Sequence, residues 1–176
     1  MPTTHHSRLH QRISQGNSQA LEIMRQINNK PDNPYYFAPA GLSADLQGID
    51  GVCLITGKTC QVKVRQSGPD VLIERWLLYP IGDSYRVEPG RDVVGKADLY
   101  ICRGNDGSLK MWDSSDFWEA VSQMEEPDWD SVWWAIQSGK THHLATGCKE
   151  LQAVAKLDMG ADGPLYGKVL LFVTVT

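Results

Sequence analysis

The stretch from Ile49 to Arg65 constrains this chain more than any other. Ile49-Asp50-Gly51-Val52-Cys53-Leu54-Ile55 is followed by Thr56-Gly57-Lys58-Thr59 and then by Cys60-Gln61-Val62-Lys63-Val64-Arg65. Both arms are apolar and rich in β-branched residues, and the link between them carries Gly and Thr, which predicts a β-hairpin. Side chains alternate along a strand, so Val62 and Val64 share one face while Gln61 and Lys63 share the other. An amide and an ammonium on a short buried strand cost free energy unless something bonds to them. Asp50, on the first arm, supplies a carboxylate that can do so.

The segments around the hairpin read as mixed α/β. Ala20, Ile23, Met24 and Ile27 form one stripe at helical spacing, with Asn17 or Ser18 to cap its start, and Glu22 falls near the opposite side as a solvated carboxylate. Asn28 to Pro34 carries turn chemistry, and Tyr35-Tyr36-Phe37 predicts a first strand. The loop Ala40 to Gly48 brings Asp45 toward the hairpin. Val71 to Tyr79 predicts a buried strand, Pro80 to Gly95 an irregular loop, and Ala97 to Cys102 a further strand. Asn105-Asp106-Gly107 is a tight-turn signal, with Leu109 to Trp112 as the returning partner. Phe117 to Met124 and residues 149–157 predict helices, and Val169 to Val175 an apolar strand. Residues 1–16 lack periodicity and read as a flexible basic arm. With no repeat and no convincing linker, residues 1–176 are expected to form one domain: core 18–124, then an extension 125–176. That extension sets Trp129, Trp133 and Trp134 among Glu125, Glu126, Asp128 and Asp130, and adjacent tryptophans cannot both sit at the centre of one helical face, which suggests an interface.

Composition narrows the setting. At 41% hydrophobic and 22% charged residues, the chain is expected to be globular rather than disordered. No apolar run reaches the ~20 residues of a bilayer span, so no membrane partner is expected. The four cysteines are scattered without a CxxC pair, which disfavours a zinc ribbon and predicts reduced thiols in the cytoplasm. The net charge of −4 hides an asymmetry: residues 1–65 hold seven Lys or Arg against four Asp or Glu, and the remainder holds ten against seventeen. A local basic face can therefore take a polyanion.

Asp50, Gln61 and Lys63 suggest what such a face would do. A hard cation takes oxygen ligands, and a carboxylate, an amide oxygen, a backbone carbonyl and waters satisfy it. A lysine on the same face can stabilise charge developing on phosphorus. His142-His143 has no acidic or thiol partner at ligand spacing and reads as a loop pair.

Asp50, then Gln61-Val62-Lys63, resembles the signature of the PD-(D/E)xK nuclease superfamily, with Ile49 at the proline position and Gln61 at the acidic one. The resemblance covers roughly residues 18–124, including Glu22 on the first helix and Gly95-Lys96-Ala97-Asp98-Leu99-Tyr100. It implies a restriction-endonuclease-like α/β/α core with a central mixed sheet. It further implies Mg²⁺ (or Mn²⁺) held by Asp50, Gln61 and the Val62 carbonyl, with Lys63 as the catalytic lysine and Glu22 as an outer-shell or second-metal acid. Asp45 and Glu74 compete for that last role. The expected activity is metal-dependent hydrolysis of DNA by a homodimer, with Lys58, Arg65, Arg86, Arg91 and Lys96 on phosphates. Glutamine in place of the acid leaves a second expectation, a catalytically lapsed DNA- or protein-binding module on the same fold.

Overall fold

The structure, a computed structural model, describes residues 18–41, 44, 48–64, 70–90, 97–138, 144–146, 151–158, 163, 165 and 167–174. Helix α1 runs through residues 18–28. Its stripe of Ala20, Ile23, Met24 and Ile27 is buried, as the spacing predicts. Asn28 ties its end to the first strand, donating from Nδ2 to the Phe37 carbonyl at 2.9 Å and accepting from the Phe37 N–H at 2.7 Å. The intervening turn places Asp32 at φ 60°, a left-handed conformation that aspartate tolerates better than most residues.

Strands β1 (Phe37–Pro39), β2 (Gly51–Cys53), β3 (Thr59–Val64), β6 (Leu99–Arg103), β7 (Leu109–Asp113) and β10 (Leu171–Val173) form a mixed sheet in the order β1-β2-β3-β6-β7-β10. Its neighbours are antiparallel except β3 and β6, which run parallel with Gln61 opposite Tyr100 and Lys63 opposite Cys102. One face packs Cys53, Cys60, Leu99, Ile101, Leu109 and Met111 against α1. The other face buries Tyr100, Cys102 and Trp112 against Phe117, Ala120 and Val121 of helix α2 (Ser114–Ser122). Asp113 caps α2 by accepting from the Ser115 N–H at 3.1 Å, so the helix starts where β7 ends. Phe117 stacks on Tyr100 with ring centroids 4.1 Å apart.

A second, antiparallel sheet has the order β5-β4-β9-β8, built from β4 (Asp70–Ile81), β5 (Ser84–Pro89), β8 (Leu144–Thr146) and β9 (Leu151–Asp158). Helix α3 (Trp129–Gln137) lies against it: Trp129 meets Trp76 edge-on at 5.5 Å, and Trp133 lies 5.5 Å from Tyr85. The Tyr85 hydroxyl donates to Asp130 at 2.7 Å, and that bond pushes the phenol pKa up to about 12. Trp134 is exposed. The chain is thus mixed α/β with a curled mixed sheet and a few helices.

Two segments depart from the sequence reading. Residues 84–89, expected in a loop, form a strand, because Gly82 at φ 57° closes a hairpin that lets β4 pair with them. Residues 149–157 contain good helix formers, yet 151–158 extend as β9 because β4 offers eight residues of paired backbone. From the expected extension, β10 pairs with β7 in the mixed sheet, and Leu165 is buried beside Trp112, whose Nε1 donates to its carbonyl at 3.1 Å. The basic arm, Asp45, Arg65, Arg91, Lys96, His142 and His143 lie outside the described residues. Among those described, no helix is long and apolar enough to cross a membrane.

Gly51 lies in close contact with α1. A Cβ there would overlap Met24 Sδ and stand 3.0 Å from the Ala38 carbonyl oxygen and 3.1 Å from Cys60 Sγ. Gly51→Ala is therefore expected to cost about 1–3 kcal/mol in denaturant unfolding, and a paired Met24→Ala should add less than its cost in the wild-type background. Additive losses would mean that the helix does not press on this glycine.

Candidate metal and phosphodiester site

Hairpin pairing brings Asp50 onto β3. Gly51 pairs with Cys60, and the Asp50 N–H donates to the Cys60 carbonyl at 2.8 Å, so Asp50 continues β2 by one residue. Its side chain then turns onto the next peptide: Oδ2 accepts from the Val62 N–H at 2.7 Å. The carboxylate is anchored between the residues that bear the Gln61 and Lys63 side chains. In an extended strand one residue's N–H and C=O project to the same edge, so the Val62 carbonyl faces the β2 side as well.

Gln61 and Lys63 alternate with Cys60, Val62 and Val64, which pack toward α1, and so belong to the face that carries Tyr100 and Cys102. The Gln61 side-chain oxygen is buried. Its amide lies against Gly48, where a Cβ would come within 3.5 Å of Nε2 and where φ of 80° already favours glycine. The Cys60 thiol, on the other face, is pushed up to about 12 by burial and then by the Asp50 charge, so it stays protonated. Cys53, Cys60 and Cys102 are buried, and none of the three is in a disulfide.

The remaining expected residues are dispersed. Glu22 is on α1, and its carboxylate meets Arg103 Nη1 at 3.6 Å at the carboxyl end of β6. Lys58 sits in the β2–β3 turn, at the closed end of the hairpin away from Asp50. Arg86 belongs to β5 in the second sheet, paired with Glu88 at 2.9 Å and stacked over Tyr79. Glu74 is in β4, at the register shift opposite β9. Sequence reasoning missed Arg103, because nothing local shows that the end of β6 meets α1.

The donor set fits a hard cation: one carboxylate, one side-chain amide oxygen and one backbone carbonyl, with waters completing the shell. It does not fit zinc, since among the described residues no three His, Cys, Asp or Glu side chains gather. Comparison with protein-family models, with curated proteins and with solved structures finds no match for the chain.

The Asp50 carboxylate has a structural duty that is separable from metal binding. Asp50→Ala deprives the half-buried Val62 N–H of its acceptor and is expected to lower stability by about 1–2 kcal/mol in metal-free buffer. Asp50→Asn keeps an acceptor oxygen and should cost less; equal losses in urea melts would rule out the bond as the reason. Cys60 should also resist iodoacetamide at pH 8 in the folded protein and react once unfolded, as read by mass spectrometry.

Proposed function

We propose that this chain is a Mg²⁺-dependent deoxyribonuclease built on a restriction-endonuclease-like core and acting as a homodimer. The observation that carries the reading is the clasp of Asp50 Oδ2 on the Val62 N–H, which fixes a carboxylate between Gln61 and Lys63. A mixed sheet with α1 on one face and α2 on the other supports the fold half of the reading.

Asp50, Gln61 and the Val62 carbonyl would hold the ion. When bound, the ion polarises the phosphodiester and offsets its charge. The chain's own residues do the rest. The bond from Val62 restricts the carboxylate to one orientation, so little reorganisation is needed when substrate arrives. Lys63, on the same strand face as Gln61, donates to the charge that grows on the phosphoryl oxygens as the water attacks. Two copies of the site, related by a twofold axis, would cut the two strands of a duplex or a branched DNA. The exposed Trp134 on α3 is the candidate contact for the second copy or for DNA.

One observation favours a second reading, a lapsed DNA- or protein-binding module. Among the described residues, Asp50 has no two other acidic, His or Cys side chains with which to form a metal cluster. The two readings part in a cleavage assay with Mg²⁺ or Mn²⁺ on labelled duplex, single-stranded and four-way-junction DNA. The nuclease reading expects product, a fall of roughly 100-fold or more in Lys63→Ala, and DNA binding retained in that variant. Binding without product in the wild type supports the module. Unchanged turnover in Lys63→Ala removes the lysine from the mechanism.

A further inference from the structure

On the α1 face, at the carboxyl end of the β3–β6 pair, lies a groove of about 590 Å³ between α1 and the β6–β7 turn. β3 and β6 are parallel, so their carboxyl ends, Val64 and Arg103, lie side by side in register. β2 runs antiparallel to β3, which brings its start, and with it Asp50, to this end too. In open α/β sheets ligands gather outside the carboxyl ends of parallel strands. Gln19, Glu22 and Gln26 of α1 line one wall, and Val64, Arg103 and Asn105 line the other.

Three amides in such a groove offer both donors and acceptors, and a guanidinium offers the planar fork that suits a phosphate. Arg103 is held from strand β6 with only 20% of its side chain exposed, whereas its partner Glu22 is 70% exposed. The contact between them, 3.6 Å, is longer than a hydrogen bond. A carboxylate held that loosely in water exchanges readily for another anion.

We infer that this groove is a subsite for the backbone of a nucleic-acid strand, in which Arg103 takes a phosphate and Glu22 occupies Arg103 until the strand arrives. The inference rests on the proposed function only in taking a polynucleotide as the partner. It deepens that function by adding a phosphate contact on the α1 face, at the carboxyl end of the β3–β6 pair, while Lys63 lies on the opposite face with Tyr100 and Cys102. It also gives Glu22 a role other than metal holding: its charge competes with phosphate for Arg103.

Fluorescence anisotropy of labelled single-stranded and duplex oligonucleotides in EDTA reads binding without turnover. Glu22→Gln is expected to tighten binding about threefold to tenfold, because the competitor for Arg103 is gone. Arg103→Gln should weaken it by about tenfold and lower the slope of log affinity against log salt by about 0.7 on single strands. In the Arg103→Gln background, Glu22→Gln should have no further effect. Arg103→Lys keeps the charge and covers the case in which the glutamine variant does not fold; it should retain the salt slope. Unchanged or weaker affinity in Glu22→Gln, or equal tightening with and without Arg103, overturns the subsite. So does loss of cleavage in Glu22→Gln at unchanged affinity, which would assign Glu22 to the metal. Tightening through Arg103 in a protein that cuts nothing would sink the hydrolytic reading and leave the subsite standing. Cleavage that needs Lys63, with Glu22→Gln neutral for binding, would sink the subsite alone.

Discussion

The pairing of Thr59 with Asp98 is the interaction on which the rest of the structure depends. The Asp98 carboxylate accepts from the Thr59 N–H at 2.9 Å and from its hydroxyl at 3.1 Å, while the Asp98 N–H donates to the Thr59 carbonyl at 3.1 Å. These bonds lock the start of β6 to the start of β3 and so fix the register of the sheet's parallel pair. A one-residue slip in that register would turn Leu99 and Ile101 away from α1 and Tyr100 and Cys102 away from α2. Both core clusters require the register to hold, and together they make it unambiguous.

From that register the candidate site follows geometrically. Parallel β3 and β6 end together and antiparallel β2 begins beside them, so Asp50 is brought against β3 near Gln61 and Lys63, while Arg103 ends β6 on the α1 face. Gly51 brings α1 into close contact immediately after Asp50, and Gly48 takes a left-handed turn at φ 80° beside the Gln61 amide. The Val62 N–H holds the Asp50 carboxylate in place. The peptide N–H positions the acid, and the chemistry proposed for it depends on that restraint.

Much of this was legible in the sequence, for local reasons. The hairpin showed because Val62 and Val64 alternate with Gln61 and Lys63, and α1 showed because four apolar residues share a stripe. β5 did not, since Arg86, Glu88 and Pro89 look like a loop until β4 is seen to extend past Tyr79 and turn back at Gly82. β9 did not, since Leu, Gln, Ala and Lys favour a helix, and its strand partner β4 lies far back in the chain. At the site, Asp50, Gln61 and Lys63 could be singled out because they sit on two consecutive strands. The ion pair of Glu22 with Arg103 could not, because it joins a helix to a strand end that meet only in the folded protein. The one local hint was that Gln19, Glu22 and Gln26 form a polar stripe along α1.

The most direct measurement of whether a divalent ion sits at the Asp50 clasp is Mn²⁺ titration followed by amide NMR. Paramagnetic broadening should begin at the Val62 N–H and the Gln61 side-chain amide, spare Lys58 at the closed end of the hairpin, and vanish in Asp50→Asn. Broadening that starts elsewhere, or that survives Asp50→Asn undiminished, would contradict a metal site built on that carboxylate.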